Sequence, residues 1–174
     1  VRTLQTRTDT AATLNGAKGA KFTVEVPRDW TKFTEQRTSD VLPTSTVVHY
    51  IAPDGKQQIT IERLAAFYPR ASIARYFTAI QRQWPEHQVN QISVKQIPGL
   101  GGGVGAEEPA QSLVFRSTDL AERGGNSVAR TTFVDAFPDG PDLWAVSVIV
   151  PTDEEDSGNS GLFAKVAPSF KPID

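Results

Sequence analysis

The sequence predicts an α+β fold: one α/β/α sandwich on a mainly antiparallel sheet of about seven or eight strands, with two main helices. Three observations carry that expectation. Strand-like runs dominate the chain, and the gaps between the last of them are too short for the crossover of about a dozen residues that a parallel return needs. One amphipathic helical stripe interrupts the strands, at residues 72–84. A second apolar stripe closes the chain, in Leu162, Phe163, Val166 and Phe170. An antiparallel sheet flanked by helices is a scaffold that works by presenting a surface.

Taken in order, residues 1–19 are Thr-rich, hold no aromatic ring and show no periodicity, so they are expected to be a linker or loosely held arm, with the domain spanning 20–174. Residues 22–26 alternate Phe22, Val24 and Val26 with polar side chains, as a half-buried strand does. After a turn at Pro27, residues 30–35 are expected to return antiparallel to that strand. Residues 46–51 and 57–64 flank Pro53-Asp54-Gly55-Lys56, a turn in which Pro presets one dihedral and Gly accepts positive φ. Ile59 and Ile61 then share one face, with Thr60 and Glu62 opposite.

Ser72 is the expected N-cap of a helix reaching Trp84, with Ile73, Phe77, Ile80 and Trp84 on one stripe and Pro85 as its stop. Strands are expected at 89–97, 111–117, 127–136 and 143–150, with a flexible connection at 99–105. The last strand is apolar on both faces apart from Ser147, which places it centrally, covered on each side. The closing helix has two candidate starts. Thr152 with Glu155 has capping-box spacing, yet Gly158 and Gly161 weaken a helix there, so a start at 157–160 stands beside it; Pro168 is its expected end.

At 174 residues, with 39% hydrophobic and 22% charged side chains, the chain suits one globular domain. No apolar run approaches the roughly 20 residues that cross a bilayer as a helix. The chain starts at Val1 and contains no Met, which leads us to expect a mature or excised fragment whose signal, lipid anchor or membrane helix lies upstream. The absence of Cys removes disulfides, thiol nucleophiles and thiolate metal sites. The net charge of −2 does not suggest nucleic acid, and basic residues are neither clustered nor interleaved with aromatics. Residues 1–100 carry 13 basic and 8 acidic side chains, the rest 5 and 12; folding is expected to interleave them.

No reactive cluster emerges. His49 and His87, the two imidazoles, have no carboxylate at a ligand-like spacing, so structural or surface roles are expected for both. Gly99 to Gly105 lacks the Gly-Lys-Ser/Thr ending of a phosphate loop. Asp153-Glu154-Glu155-Asp156 lacks the alternation of a calcium loop and suits the positive end of a helix dipole. Ser157-Gly158-Asn159-Ser160-Gly161 lacks the strand-turn-helix setting of a nucleophile elbow. Trp30, Trp84 and Trp144 are expected in the core rather than as a ligand cage. No catalytic residue, metal ligand or cofactor is expected, and the residues that bind a ligand are left unassigned.

Several segments resemble a known family. Phe22-Thr23-Val24-Glu25-Val26-Pro27-x-x-Trp30 is similar to the opening of PsbP-like domains. The pair Val48-His49-Tyr50-Ile51-Ala52-Pro53-Asp54-Gly55 and Ile59-Thr60-Ile61-Glu62 is similar to the hairpin that follows it, and Leu162-Phe163-x-x-Val166-x-x-Ser169-Phe170 resembles the final helix. The likeness spans roughly residues 20 to 172 and is nearest the actinobacterial branch of secreted or lipid-anchored proteins and of extracytoplasmic domains on membrane kinases. It implies an α/β/α sandwich that acts by binding, as photosystem subunits and a nuclear-import protein that binds a small GTPase do.

The resulting expectation is a non-enzymatic extracytoplasmic binding or sensing module for a protein partner or small ligand, with no nucleic acid and with a possible membrane anchor upstream. In a sensor, residues 1–19 would be the tether. Two alternatives stand beside it. One is a small-molecule or lipid carrier lipoprotein that binds between the sheet and the 99–105 loop. The other is a hydrolase with an unrecognised site, for which His49 and His87 would be the only obvious bases.

Overall fold

The computed structural model describes residues 3–12, 20–97, 108–120 and 126–173. Among the described residues, ten strands form two antiparallel sheets. The larger runs β3-β4-β5-β9-β8-β7-β6 and the smaller β1-β2-β10. In chain order the strands are β1 (Leu4–Thr10), β2 (Lys21–Pro27), β3 (Thr31–Arg37), β4 (Ser45–Ile51), β5 (Gln58–Leu64), β6 (Val89–Gln96), β7 (Gln111–Asp119), β8 (Val128–Asp139), β9 (Asp142–Pro151) and β10 (Lys171–Ile173). Helix α1 (Ile73–Gln81) covers one face of the large sheet. The other face is covered by the small sheet and a helical segment made of a 3-10 turn (Thr152–Glu154), α2 (Glu155–Gly158), a π turn (Asn159–Phe163) and α3 (Ala164–Ser169).

The alternation of each strand decides which layer it faces. On β9, Trp144, Val146, Val148 and Val150 pack towards the small sheet and closing helix, where Trp144 meets Phe22 and Phe170 at centroid distances of 5.9 and 5.3 Å. Leu143 and Ala145 pack towards α1 with Leu64, Leu113, Val134 and Ala136. Apolar on both faces, β9 takes the central place that its composition predicts. Gly55 in the β4–β5 turn and Gly140 in the β8–β9 turn hold φ of +73° and +58°, where a Cβ is penalised. Ser72 caps α1 by accepting the Arg75 N–H at 3.2 Å.

Four expectations are corrected. Leu4–Thr10, placed by sequence in a loose arm, is strand β1 in register with β2, buckled on by Asp9, which accepts Tyr50 Oη–H at 2.6 Å and Lys32 Nζ–H at 2.8 Å. Residues 13–19 lie outside the described residues. Strand β3 does not return along β2: the chain passes from the small sheet to the large one at Trp30, and β3 pairs with β4. Helix α1 stops at Gln81 with an Arg82 C-cap, so Trp84 lies beyond it. Of the two candidate starts for the closing helix, Thr152 is the one taken, but as the first residue of the 3-10 turn after Pro151, with no side-chain cap hydrogen bond and so no capping box. Gly158 does not break it there, because its bare Cα lies flush against Val150, where an added Cβ would meet methyl carbons at 2.7 and 2.8 Å. Pro168 lies inside α3, one residue before its end.

Candidate functional site

Helix α1 covers only part of the face it packs on. Its buried residues Ile73, Tyr76 and Phe77 sit over the apolar part of the sheet. Beside it, a row of cross-strand neighbours runs Phe33, His49, Thr60, Ser147 from β3 through β4 and β5 to β9. A parallel row holds Gln58, Ile149, Thr132 and Phe115. Thr60 and Ser147 of the first row and all of the second floor a groove whose wall is Ile80, Gln83 and Trp84. A compartment of about 70 Å³ above Thr60, Thr132 and Ser147 adjoins one of about 210 Å³, and the two share Arg37, Glu62, Tyr76, Ile80 and Gln83.

Two hydrogen-bonded clusters fix this floor. In the first, the buried Glu62 carboxylate accepts Tyr76 Oη–H and Ser45 Oγ–H, each at 2.6 Å, with the Arg37 guanidinium 4.0 Å away. Burial, then the Glu62 charge beside it, pushes the Tyr76 phenol well above its ordinary value, so it stays a donor. Arg37 also donates Nε–H to Glu35 at 2.9 Å, which is the main cause holding the Glu35 carboxyl below its ordinary range.

The second cluster centres on His49, 4% exposed and stacked under Phe33 with ring centroids 4.5 Å apart. Its Nδ1 takes the Gln58 Nε2–H at 2.7 Å, and Gln58 also donates to Thr60 Oγ1 at 2.9 Å. An amide N–H at Nδ1 requires a lone pair there, so the ring proton resides on Nε2. Nε2 faces Glu35 Oε1 at 3.3 Å, close enough for attraction but outside hydrogen-bond geometry. Burial is the largest influence on His49 and pushes its pKa down, against the opposing pull of Glu35.

Glu35, His49 and Thr60 thus stand at 3.3 and 3.2 Å, spacings that a nucleophilic relay also uses. Two features oppose that chemistry. The Nδ1 lone pair next to Thr60 is occupied by Gln58. Thr60 lies mid-strand between β4 and β9, whose ladders take the backbone donors that an oxyanion hole would need. The arrangement positions hydrogen-bonding groups at a surface; it does not activate one.

His87 is exposed in the 3-10 turn Glu86–Gln88 and is not part of the groove. No group of three or more His, Asp or Glu side chains suited to a metal occurs among the described residues. Two of the four acids at 153–156 are engaged by side chains: Glu155 holds Arg116 at 2.9 and 2.8 Å, and Glu154 accepts from Gln57 at 3.3 Å. The hydroxyls of Ser157 and Ser160 bond back to helix carbonyls. Residues 99–105 lie outside the described residues. Trp30 and Trp144 are buried as expected, whereas Trp84 is half-buried on the groove, its Nε1–H donated to Asp119 at 2.7 Å. The residue the sequence flagged without using is Ser147, the one polar side chain between Leu143 and Val150.

No protein-family model matches the sequence, and no curated protein is similar to it. Solved structures share the fold. The solution structure of cyanobacterial PsbP (CyanoP) from Synechocystis sp. PCC 6803 superposes with a TM-score of 0.62 over 99% of this chain and 94% of that one, at 14% identity. The Ran-binding protein Mog1p of Saccharomyces cerevisiae matches with a TM-score of 0.51 over 98% and 97%, at 12% identity. The chain therefore has a PsbP-like α+β fold. No helix among the described residues is long and apolar enough to cross a membrane.

Proposed function

We propose that this chain is a non-enzymatic recognition module, working outside the cytoplasm, that engages a protein partner or small ligand through the groove between α1 and the large sheet. One observation carries the reading. Thr132 and Ser147 line the groove, and their hydroxyls, without a hydrogen-bond partner among the described residues, open onto it rather than being sealed in the core. Hydroxyls held in place by two central strands, unpartnered and facing a groove, are positioned to donate to and accept from an incoming group. The fold is used for protein binding in at least one relative in shape, since Mog1p is a Ran-binding protein. The compartment rests on the sequence resemblance to extracytoplasmic PsbP-like domains. In a sensor, the tether would be chain upstream of β1, because Leu4–Thr10 is paired into the small sheet.

The test uses the full-length protein purified from its own cells, with and without Gln83→Trp. Gln83 is exposed on the groove wall, so an indole there blocks the mouth without entering the core. A partner or ligand that co-purifies with the wild type and is lost from the variant is the expected result. Identical co-purifying species in both would refute the groove as the recognition site, and recovery from the cytoplasmic fraction alone would refute the compartment.

A further inference from the structure

Resting on that reading, we infer that the groove takes an uncharged ligand recognised through hydroxyl groups, as a sugar or other polyol is. Charge argues first. The one cation on the groove, Arg37 among the described residues, is already answered by Glu35 at 2.9 Å and Glu62 at 4.0 Å. An anion entering here would meet the Glu62 carboxylate and find no unpaired cation among the described residues. A cation would have to displace Arg37 from both. A neutral ligand disturbs neither pair.

The floor argues second. Thr132 and Ser147 are 5% and 8% exposed, without hydrogen-bond partners among the described residues, yet they border the compartment of about 70 Å³. Gln58 commits its amide nitrogen to His49 and Thr60, which leaves its carbonyl oxygen as an acceptor at the same place. Thr60 is already engaged, accepting from Gln58 at 2.9 Å and lying 3.2 Å from His49 Nδ1. The floor therefore offers two free hydroxyls, Thr132 and Ser147, that both donate and accept, and one fixed acceptor. A ligand hydroxyl has the same dual character and matches each of them. An extended peptide carries fixed donors and acceptors at a fixed repeat, and matches only in one register.

The wall argues third. Ile80 and Trp84 face this floor, and Phe115 closes it with its ring 5.8 Å from Trp84. Apolar and aromatic walls over a polar floor suit a ring that has C–H surface on one side and hydroxyls at its edge. The small inner compartment accepts such an edge, and the adjoining 210 Å³ accepts its continuation.

The experiment is a titration of the isotope-labelled chain followed by NMR, reading the Gln58 side-chain amide and the Trp84 indole N–H. The arms are glucose, maltose and glycerol as neutral hydroxyl probes, gluconate as an anion, and a neutral tetrapeptide. We expect saturable shifts at both reporters with the hydroxyl probes, and binding about tenfold weaker in Thr132→Val/Ser147→Ala, which removes two hydroxyls without enlarging a side chain. An unchanged global stability of that variant by urea titration separates lost contacts from lost fold. Saturable shifts with gluconate or the peptide and none with the hydroxyl probes would overturn the ligand class while leaving the groove as a recognition site. Hydroxyl probes that bind the double variant as well as the wild type, or silence in every arm, would also overturn the class; the Gln83→Trp comparison then judges the recognition reading separately.

Discussion

Tyr76 on α1 donates a 2.6 Å hydrogen bond to Glu62 on β5, and this contact fixes how far the helix can close over the sheet. Both groups are buried, and Glu62 takes a second 2.6 Å bond from Ser45. Helix and groove are therefore one construction. The carboxylate that anchors α1 is also the boundary between the two compartments beside it.

Tyr76→Phe leaves Glu62 with one short donor fewer while the ring still packs. We expect a loss of about 1–3 kcal/mol in urea unfolding, the ordinary penalty for stripping a partner from a buried charged acceptor. A midpoint unchanged within error would mean that the carboxylate is hydrated in solution.

Glycines three apart in the closing helix should respond oppositely to alanine. Gly158→Ala puts a Cβ against the buried Val150, so we expect destabilisation of about 1–3 kcal/mol. At Gly161 nothing lies within 4 Å of the new methyl, and the gain in helix propensity should stabilise by about 0.5–1 kcal/mol. Thermal unfolding of both variants checks the pair. Equal effects would contradict the packing of this helix on β9.

Asp9→Asn weakens the tie between β1 and the large sheet, since Asp9 accepts from both Tyr50 and Lys32. Amide exchange in Leu4–Thr10 should quicken by about tenfold, with little change in β9, because local opening is cheaper than global unfolding. Uniform acceleration across the chain would show instead that β1 opens only with the whole domain.

His49 sets the acid limb of stability. Its pKa lies below the ordinary 6.5, chiefly through burial; Glu35 opposes the shift, Arg37 adds to it and Glu62 opposes it. The unfolded chain therefore holds this proton more tightly than the folded one. Stability should begin to fall as pH drops below about 6.5 and finish falling below the lowered folded value. Glu35, held below its ordinary 4.5, adds its own loss only in more acid solution. His49→Gln should flatten the decline in urea midpoint between pH 7.5 and 5. Parallel declines in both proteins would exclude His49 as its source.

Much of the architecture is readable from side-chain patterns, because those patterns record which faces are covered. The two-sided apolar run in β9, the Gly55 turn and the Ser72 cap each have a local cause, and each is found where the pattern puts it. Strands β1 and β10 have no such cause. Leu4–Thr10 is polar at nearly every position and is held by backbone pairing and Asp9, while Lys171–Ile173 is three residues long. The partner of β3 is hidden for a related reason: a tight turn predicts a hairpin, but the buried Trp30 lies where the chain changes sheets. The groove is the least legible part. Alternation shows that Thr60 shares no face with Ile59, and it cannot show that α1 stops short of that face. Ser147 alone marked it, as a hydroxyl in an otherwise apolar stretch of a central strand.

On this reading the protein meets its ligand or partner at the groove and not at the opposite face. Photo-crosslinking tests it most directly, with a benzophenone side chain at Gln83 on the groove wall in one variant of the full-length protein and at Lys165 on exposed α3 in another. Irradiation in intact cells should give a discrete adduct from position 83 and none from position 165. A discrete adduct from 165 with none from 83 would contradict the account.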